Sequence, residues 1–141
     1  MDQPFHIRLL PIAILLLFSS ASLARSQSFD FYVLSLSWSP TYCATQKGPS
    51  RSPQCSGDEE FRFVVHGLWP QHERGYPEYC RSQEPQRVPR SVGSIVFDIM
   101  PSMGLIGHQW RKHGSCSGLT QRGYFSATRQ AFERIRIPPK V

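Results

Sequence analysis

Negative charge is scarce in this chain of 141 residues, which has ten aspartates and glutamates against sixteen lysines and arginines. The formal net charge is therefore +6 at pH 7. A basic surface attracts polyanions such as nucleic acids, and also anionic membranes, through long-range steering and the release of counterions. The chain also has no internal repeat and no heptad pattern, which excludes solenoids and coiled coils. Its length suits one modest domain.

Close pairs of metal ligands are missing as well. No two cysteines have the close spacing of a zinc knuckle. His108 and His113 lie five positions apart rather than four, and no glutamate follows His108, so the zinc-metalloprotease motif is absent. The sequence therefore predicts a protein that uses no metal and no other cofactor.

The first 24 residues have the features of a secretory signal peptide. Arg8 gives a weakly positive start, residues 9–18 form a short apolar run, and Ser22 and Ala24 offer small residues at a cleavage site. The run is too short for a spanning helix, and an uncleaved membrane anchor is the alternative. We expect residues 25–141 to form one exported domain that leaves the membrane, either secreted or periplasmic.

The four cysteines form an even set that export would bring into an oxidising compartment. They are Cys43, Cys55, Cys80 and Cys116. Two disulfides are therefore expected. Four cysteines allow three pairings, and the residues alone leave the choice open.

Hydrophobic periodicity predicts strands and helices in irregular order. Strands are expected at residues 29–38 and 61–65, the second placing His66 at its end, and helices at 95–100, 105–113 and 124–135. Gly114 is expected to stop the second helix, and residues 45–60 and 70–90 read as loops. This order favours an α+β fold over a doubly wound parallel sheet.

Histidine is concentrated in two short windows, residues 63–71 and 107–116, which contain three of the five histidines. An imidazole takes and gives protons near neutral pH. Two histidines brought together from separate segments can remove a proton from a nucleophile and deliver one to a leaving group. The windows therefore predict an acid–base site.

The second window also predicts a cationic helix face. At about 100° per residue, four side chains share one arc of the helix: His108, Gln109, Lys112 and His113. The arc is rich in hydrogen-bond donors and has no carboxylate of its own, so it suits a phosphate in a charged transition state. The alternative is an ordinary solvated helix face.

The two windows resemble the paired signatures of the ribonuclease T2 family. The matching motifs are His66-Gly67-Leu68-Trp69-Pro70 and His108-x-Trp110-x-Lys112-His113-Gly114-x-Cys116. The resemblance implies an antiparallel sheet with flanking helices and a metal-independent endoribonuclease. Its expected substrate is single-stranded RNA and not DNA, because the ribose 2′-hydroxyl attacks the phosphorus and leaves a 2′,3′-cyclic phosphate.

The resemblance implies catalytic roles for the motif residues. His113 is similar to the family's proton acceptor, and His66 is similar to its proton donor. Lys112 would neutralise charge on the pentacovalent phosphorane, while His108 would hold phosphate. Position 109 departs from the family pattern, because glutamine stands where a catalytic glutamate is usual. Glutamine keeps the shape without the negative charge, which predicts a slower enzyme rather than an inactive one.

The resemblance also implies a base-binding site built on stacking. Trp69 matches the family's stacking tryptophan, Gln71 follows as a polar reader of a base edge, and Tyr76 is a looser match for a second platform. The alternative for Trp69 is an ordinary core position. Trp110 is expected in the core.

The family's usual pairing implies the disulfides Cys80–Cys116 and Cys43–Cys55. The first would clamp the loop after Trp69 against the catalytic helix. Family members usually continue well beyond a position equivalent to Val141, so the resemblance implies a domain truncated at its C-terminus.

Two other classes of protein remain open on these residues. One is a catalytically silent, secreted RNA-binding module on the same scaffold, favoured by Gln109. The other is a structural or inhibitory exported domain that keeps the motifs without their activity. We expect a monomeric endoribonuclease that cleaves single-stranded RNA, and the residues do not define its base preference.

Overall fold

The computed structural model of the chain describes residues 28–46, 52–56 and 61–138. The predicted signal peptide at residues 1–24 lies outside these ranges. The elements in chain order are β1 (Phe31–Trp38), α1 (Ser39–Ala44), α2 (Pro53–Ser56), β2 (Phe63–Gln71), α3 (Arg90–Gly93), α4 (Met103–Lys112), a 3-10 turn (Gly114–Cys116) and α5 (Gln121–Glu133). The predicted α+β class is confirmed. No helix in the described ranges has the length and apolar character needed to cross a membrane.

Strands β1 and β2 form an antiparallel pair. Phe31 lies opposite Gln71 at one end and Trp38 opposite Phe63 at the other. Alternate side chains of β1 face the core, as the sequence pattern predicts: Tyr32, Leu34 and Leu36 pack against it. The antiparallel sheet expected from the sequence is therefore present, with helices beside it.

A β-bulge interrupts the pairing at His66. Ser35 pairs with Gly67 and Leu36 pairs with Val65, so His66 has no residue opposite it. The prediction that the second strand ends at His66 is wrong, because the strand continues through the motif. A bulge bends the strand and redirects a side chain, and here the His66 side chain is exposed.

The hydrophobic core lies where β2 meets α4 and α5. Its most deeply buried members include Val65, Val96, Ile106, Trp110, Tyr124 and Phe125. The Tyr124 hydroxyl donates a hydrogen bond to the Leu68 carbonyl at 2.8 Å, which ties α5 to β2. Trp110 is 1% exposed, as predicted for a core position.

Helices α4 and α5 begin earlier than their apolar periodicity predicts, because each has a polar N-cap. The Ser102 hydroxyl accepts a hydrogen bond from the Leu105 amide, and the Thr120 hydroxyl accepts one from the Gly123 amide. Such caps satisfy amides that have no partner within the helix. Periodicity registers only buried positions, so it misses a polar first turn.

The predicted helix at residues 95–100 is wrong. The helix of this region is α3, which ends at Gly93, and turns follow it. The Val65 amide donates to the Ile99 carbonyl at 2.7 Å, so this segment bonds to the sheet rather than continuing as a helix.

Gly114 does not stop α4 as predicted. The helix ends at Lys112, with His113 as its C-cap, and Gly114 opens the 3-10 turn. A Cβ at position 114 would lie 2.5 Å from Cε3 of Trp110 and 2.9 Å from the ring of Tyr124. Glycine is required here because two core rings pack against the backbone.

Both disulfides have the pairing that the family resemblance implies. Cys43 bonds to Cys55, and Cys80 bonds to Cys116. The second joins the irregular segment after β2 to the turn that follows α4. It therefore ties the segment that follows the first motif window to the end of the second window.

Candidate active site

One cavity of about 320 Å³, called here the histidine cavity, brings together all eight residues that the sequence singled out for catalysis or base binding. They are His66, Trp69, Gln71, Tyr76, His108, Gln109, Lys112 and His113. Strand β2 supplies the first three, the segment after it supplies Tyr76, and α4 with its C-cap supplies the rest. The cavity lies where the two motif windows meet.

Strand β2 supplies an imidazole and an indole to the cavity. The His66 ring lies 6.0 Å from the Trp69 ring and almost perpendicular to it, at 83°. The bulge turns His66 outwards, while Trp69 is only partly buried. A fully buried core position for Trp69 is therefore not what the structure has.

His113 faces the cavity from the end of α4. It is 5% exposed and stacks on Trp69, with 5.2 Å between ring centroids and 27° between planes. Its Nδ1 atom is buried and has no hydrogen-bond partner within the described residues. Stacking, rather than a hydrogen bond at this nitrogen, therefore holds the imidazole.

Gln109 lines the cavity but is almost completely buried. Its side chain is 1% exposed, and its Oε1 accepts a hydrogen bond from Nε1 of Trp69 at 2.8 Å. A Cβ at Gly67 would collide with both Oε1 of Gln109 and Nε1 of Trp69. The glycine of the first motif thus makes room for this hydrogen bond, which fixes the plane of the indole.

Lys112 lies at the rim and has a carboxylate neighbour that the sequence analysis missed. Its Nζ atom is 3.5 Å from Oε2 of Glu78 and 5.9 Å from the centroid of the Tyr76 ring. The Tyr79 amide donates to the Lys112 carbonyl at 2.9 Å, which fixes the segment that carries Glu78. The segment that carries Glu78 has no hydrophobic periodicity. In the sequence, only the expected disulfide between Cys80 and Cys116 indicated that this segment lies near α4.

The electrostatic environment favours neutral imidazoles. Burial, and then the positive charges of Lys112 and His108, lower the pKa of His113 to about 4, although the Glu78 carboxylate opposes them. Burial, followed by His108, also lowers the pKa of His66. Desolvation and like charge both disfavour the protonated form. At neutral pH His113 can therefore accept a proton.

The remaining nitrogen donors of the cavity come from α4. His108 is exposed one turn before Lys112, so the two side chains lie on the same face of the helix. Within the described ranges no three His, Cys, Asp or Glu side chains are grouped to hold a metal ion. The fold and the site together define an α+β protein with an acid–base site suited to phosphate chemistry.

A sequence model of the Ribonuclease T2 family matches residues 29–138. The chain belongs to the ribonuclease T2 family.

Known proteins resemble the chain over most of its length. A ribonuclease of Aeromonas hydrophila is 41% identical over 126 residues, which cover 88% of this chain and 55% of the relative. A probable ribonuclease of Haemophilus influenzae is 32% identical over 121 residues, covering 77% of this chain and 44% of the relative. The crystal structure of RNase NT in complex with 5′-AMP matches with a TM-score of 0.59 and 29% identity, covering 77% of this chain and 58% of that one. The chain thus spans about half the length of the curated relatives it matches.

Proposed function

We propose that the chain is a metal-independent endoribonuclease that cleaves single-stranded RNA by transphosphorylation. The observation that carries the proposal is the meeting of His66 and His113, from separate segments, in one cavity with Lys112 and His108. The ribonuclease names of the relatives and the 5′-AMP bound to RNase NT support it.

His113 acts as the general base in this proposal. Its low pKa, about 4, leaves the imidazole unprotonated at neutral pH. It takes the proton of the ribose 2′-hydroxyl, whose oxygen then attacks the adjacent phosphorus. DNA has no 2′-hydroxyl and is not a substrate.

His66 acts as the general acid. The bond from phosphorus to the 5′-oxygen breaks as the 2′-oxygen bond forms, and His66 gives its proton to the departing 5′-oxygen. A bound phosphate anion raises the pKa of a nearby imidazole, so substrate binding favours the protonated form of His66. The product is a 2′,3′-cyclic phosphate, which water can later open.

Lys112 and His108 provide positive charge for the phosphorane. Both line the cavity together with the proposed base. The ion pair of Lys112 with Glu78 holds the ammonium at the rim before substrate arrives. Preorganised charge of this kind stabilises the transition state more than the ground state.

Base binding uses Trp69, Tyr76 and Gln71. One face of Trp69 is covered by His113, so a base stacks on the indole from the open side of the cavity. Tyr76 is 50% exposed and offers a second ring, while Gln71 supplies polar contacts to a base edge.

Gln109 positions His113 through Trp69. Its oxygen is engaged by the indole N–H, and the indole carries the stacked imidazole. An amide supplies this hydrogen bond but no negative charge, so it does not raise the pKa of His113 as a carboxylate would. We expect catalysis to be slower than with glutamate for that reason.

Export completes the proposal. The signal-like first 24 residues and the two disulfides are consistent with a secreted or periplasmic monomer. An oxidising compartment keeps Cys80 bonded to Cys116.

The test is product analysis of the dinucleotide UpA in excess EDTA, from pH about 4 to about 8. We expect uridine 2′,3′-cyclic phosphate from the natural chain and none from His66→Ala or His113→Ala. His72→Ala is the matched control, because His72 is a histidine that does not line the cavity. Cleavage by His113→Ala at the natural rate would remove the proposed mechanism.

A catalytically silent RNA-binding module is the second candidate, and Gln109 is the observation that favours it. The folded natural chain would then bind an oligouridylate without producing any cyclic phosphate. Fluorescence anisotropy of a labelled oligonucleotide, beside the UpA assay, separates the two functions.

A further inference from the structure

A second and larger cavity lies beside α4, away from the catalytic groups. Its volume is about 650 Å³, and it is called here the arginine cavity after Arg87, Arg90 and Arg111, which line it. All three side chains are exposed, and no acidic residue lines this cavity within the described chain. None of the three guanidiniums has an ion pair with another residue of the described ranges.

The floor of the arginine cavity is apolar and preformed. Val88 and Met103 line it, together with Gly107, where a Cβ would lie 3.1 Å from Nη1 of Arg111. The glycine thus lets the Arg111 guanidinium lie close to the backbone of α4. An apolar floor with a guanidinium rim suits a nucleotide, because the base covers the floor and the phosphate meets the arginines.

Buried hydrogen bonds fix the segment that forms one wall of this cavity. Nε2 of Gln121, a side chain that is 4% exposed, donates to the carbonyls of Pro85 at 2.6 Å and Arg87 at 3.2 Å. Nε1 of Trp110 donates to the Pro85 carbonyl at 2.8 Å. The wall is therefore held in place before any ligand binds, which lowers the entropic cost of binding.

A continuous surface leads from the arginine cavity towards the histidine cavity. An adjoining cavity of about 450 Å³ shares Arg111 with the arginine cavity and extends to Arg81 and Tyr79. Tyr79 is 59% exposed and is bonded through its amide to Lys112, which lines the histidine cavity. One carboxylate, that of Glu84, lines this adjoining cavity. Its Oε2 atom accepts a hydrogen bond from the backbone N–H of Gln121 at 3.2 Å.

We propose that the arginine cavity binds backbone phosphates of single-stranded RNA at nucleotides distant from the scissile bond. The inference rests on the proposed function for its choice of RNA as the polymer. A chain longer than two nucleotides must leave the histidine cavity, and the surface through Tyr79 and Arg81 offers it guanidiniums and an aromatic ring. These are the two kinds of group by which proteins hold single strands without sequence preference.

The first test measures binding in a His113→Ala background, so that the RNA stays intact. The ligand is a fluorescent oligouridylate of about twelve nucleotides, and anisotropy is followed over a range of salt concentrations. The variant is Arg87→Gln/Arg111→Gln. The control is Arg134→Gln/Arg136→Gln, which removes the same charge from exposed positions beyond α5.

We expect the slope of log affinity against log salt to fall by about 1.4 in the variant, from two contacts at roughly 0.7 each. A slope difference of about 1.4 means that the variant's loss of affinity relative to the natural chain is roughly sevenfold larger at about 50 mM salt than at about 200 mM. The control should change both quantities by much less. Equal slopes and affinities for the two double variants would overturn the proposal.

The second test separates this inference from the proposed function. In this test His113 is left unchanged, so that the RNA can be cleaved. The ratio of the KM for polyuridylate to the KM for UpA should rise in Arg87→Gln/Arg111→Gln. If UpA is not cleaved at all but the anisotropy result holds, the enzyme proposal fails and RNA binding at the arginine cavity stands. If Arg87→Gln/Arg111→Gln weakens binding of the protein to phosphatidylserine vesicles but not to the oligouridylate, the cavity binds anionic membrane. The RNA proposal is then overturned.

Discussion

The histidine cavity and the arginine cavity lie on different sides of the same helix, and their cations differ in kind. The histidine cavity contains imidazoles whose pKa values burial and like charge depress, so they change charge during a reaction. The arginine cavity contains exposed guanidiniums, and the guanidinium group is a permanent cation in proteins. A group that transfers a proton must be able to lose it. A group that only binds a phosphate binds best when it keeps its positive charge.

The two regions also differ in how their side chains are held. Aromatic stacking and a buried amide fix His113, and an ion pair holds Lys112. The guanidiniums of the arginine cavity have no such partners among the residues that the structure describes, although the backbone carbonyl of Arg87 is fixed by Gln121. Catalysis depends on fixed atoms, while attraction of a flexible polyanion requires only a fixed surface.

The largest expected effect comes from the Cys80–Cys116 disulfide, since Cys80 lines the adjoining cavity. Replacing Cys80 and Cys116 by serine should lower the free energy of unfolding by about 2–5 kcal/mol, the usual cost in a small exported domain. Cys80 follows Tyr79, whose amide binds Lys112, so the KM for UpA should rise as well. Urea denaturation and UpA kinetics measure the two effects.

The matched control for that change is the replacement of Cys43 and Cys55 by serine. This disulfide spans 12 residues of sequence, against 36 for Cys80–Cys116. The loop-closure difference predicts a smaller loss, by about 1 kcal/mol. A larger loss from the control pair would contradict the view that Cys80–Cys116 is the main restraint.

The sequence predicted which residues line the histidine cavity better than how the backbone presents them. The motif residues meet as expected, but the bulge at His66 depends on strand register, which local alternation does not contain. Glu78 was missed because it reaches Lys112 through a backbone bond and a disulfide rather than through a local pattern. The arginine cavity was missed for the same reason: Arg87 and Arg111 lie far apart in sequence and meet only in the fold.

A smaller effect is expected from Gln109, and it should separate the two cavities. In Gln109→Leu, Nε1 of Trp69 loses its acceptor, which should cost about 1–3 kcal/mol of stability and slow UpA cleavage by displacing His113. Oligouridylate affinity should fall through the loss of an ordered Trp69, but the slope of log affinity against log salt should change little, because the arginine cavity does not include this residue. A salt slope that falls as far as in Arg87→Gln/Arg111→Gln would show that the cavities are not independent.

Gln109→Glu is the conservative partner of that variant. It keeps an acceptor for the Trp69 N–H and adds negative charge near His113, which raises the pKa of the imidazole above about 4. The acidic limb of the pH–rate profile should therefore move to higher pH, with a higher maximal rate. An unchanged profile would show that position 109 acts only as a structural hydrogen-bond acceptor.

The last expected effect is on stability as a function of pH. His113 has a folded-state pKa of about 4, below the ordinary value of 6.5, so the unfolded chain binds its proton more readily. The stabilisation from a neutral His113 is complete above pH 6.5 and is lost as the pH falls towards about 4. The Tm of the natural chain minus that of His113→Gln should be constant above that window and decline through it. A difference that stays constant across the window would mean that His113 has no depressed pKa, and the contrast between proton-transferring and permanently charged cavities would then rest on His66 alone.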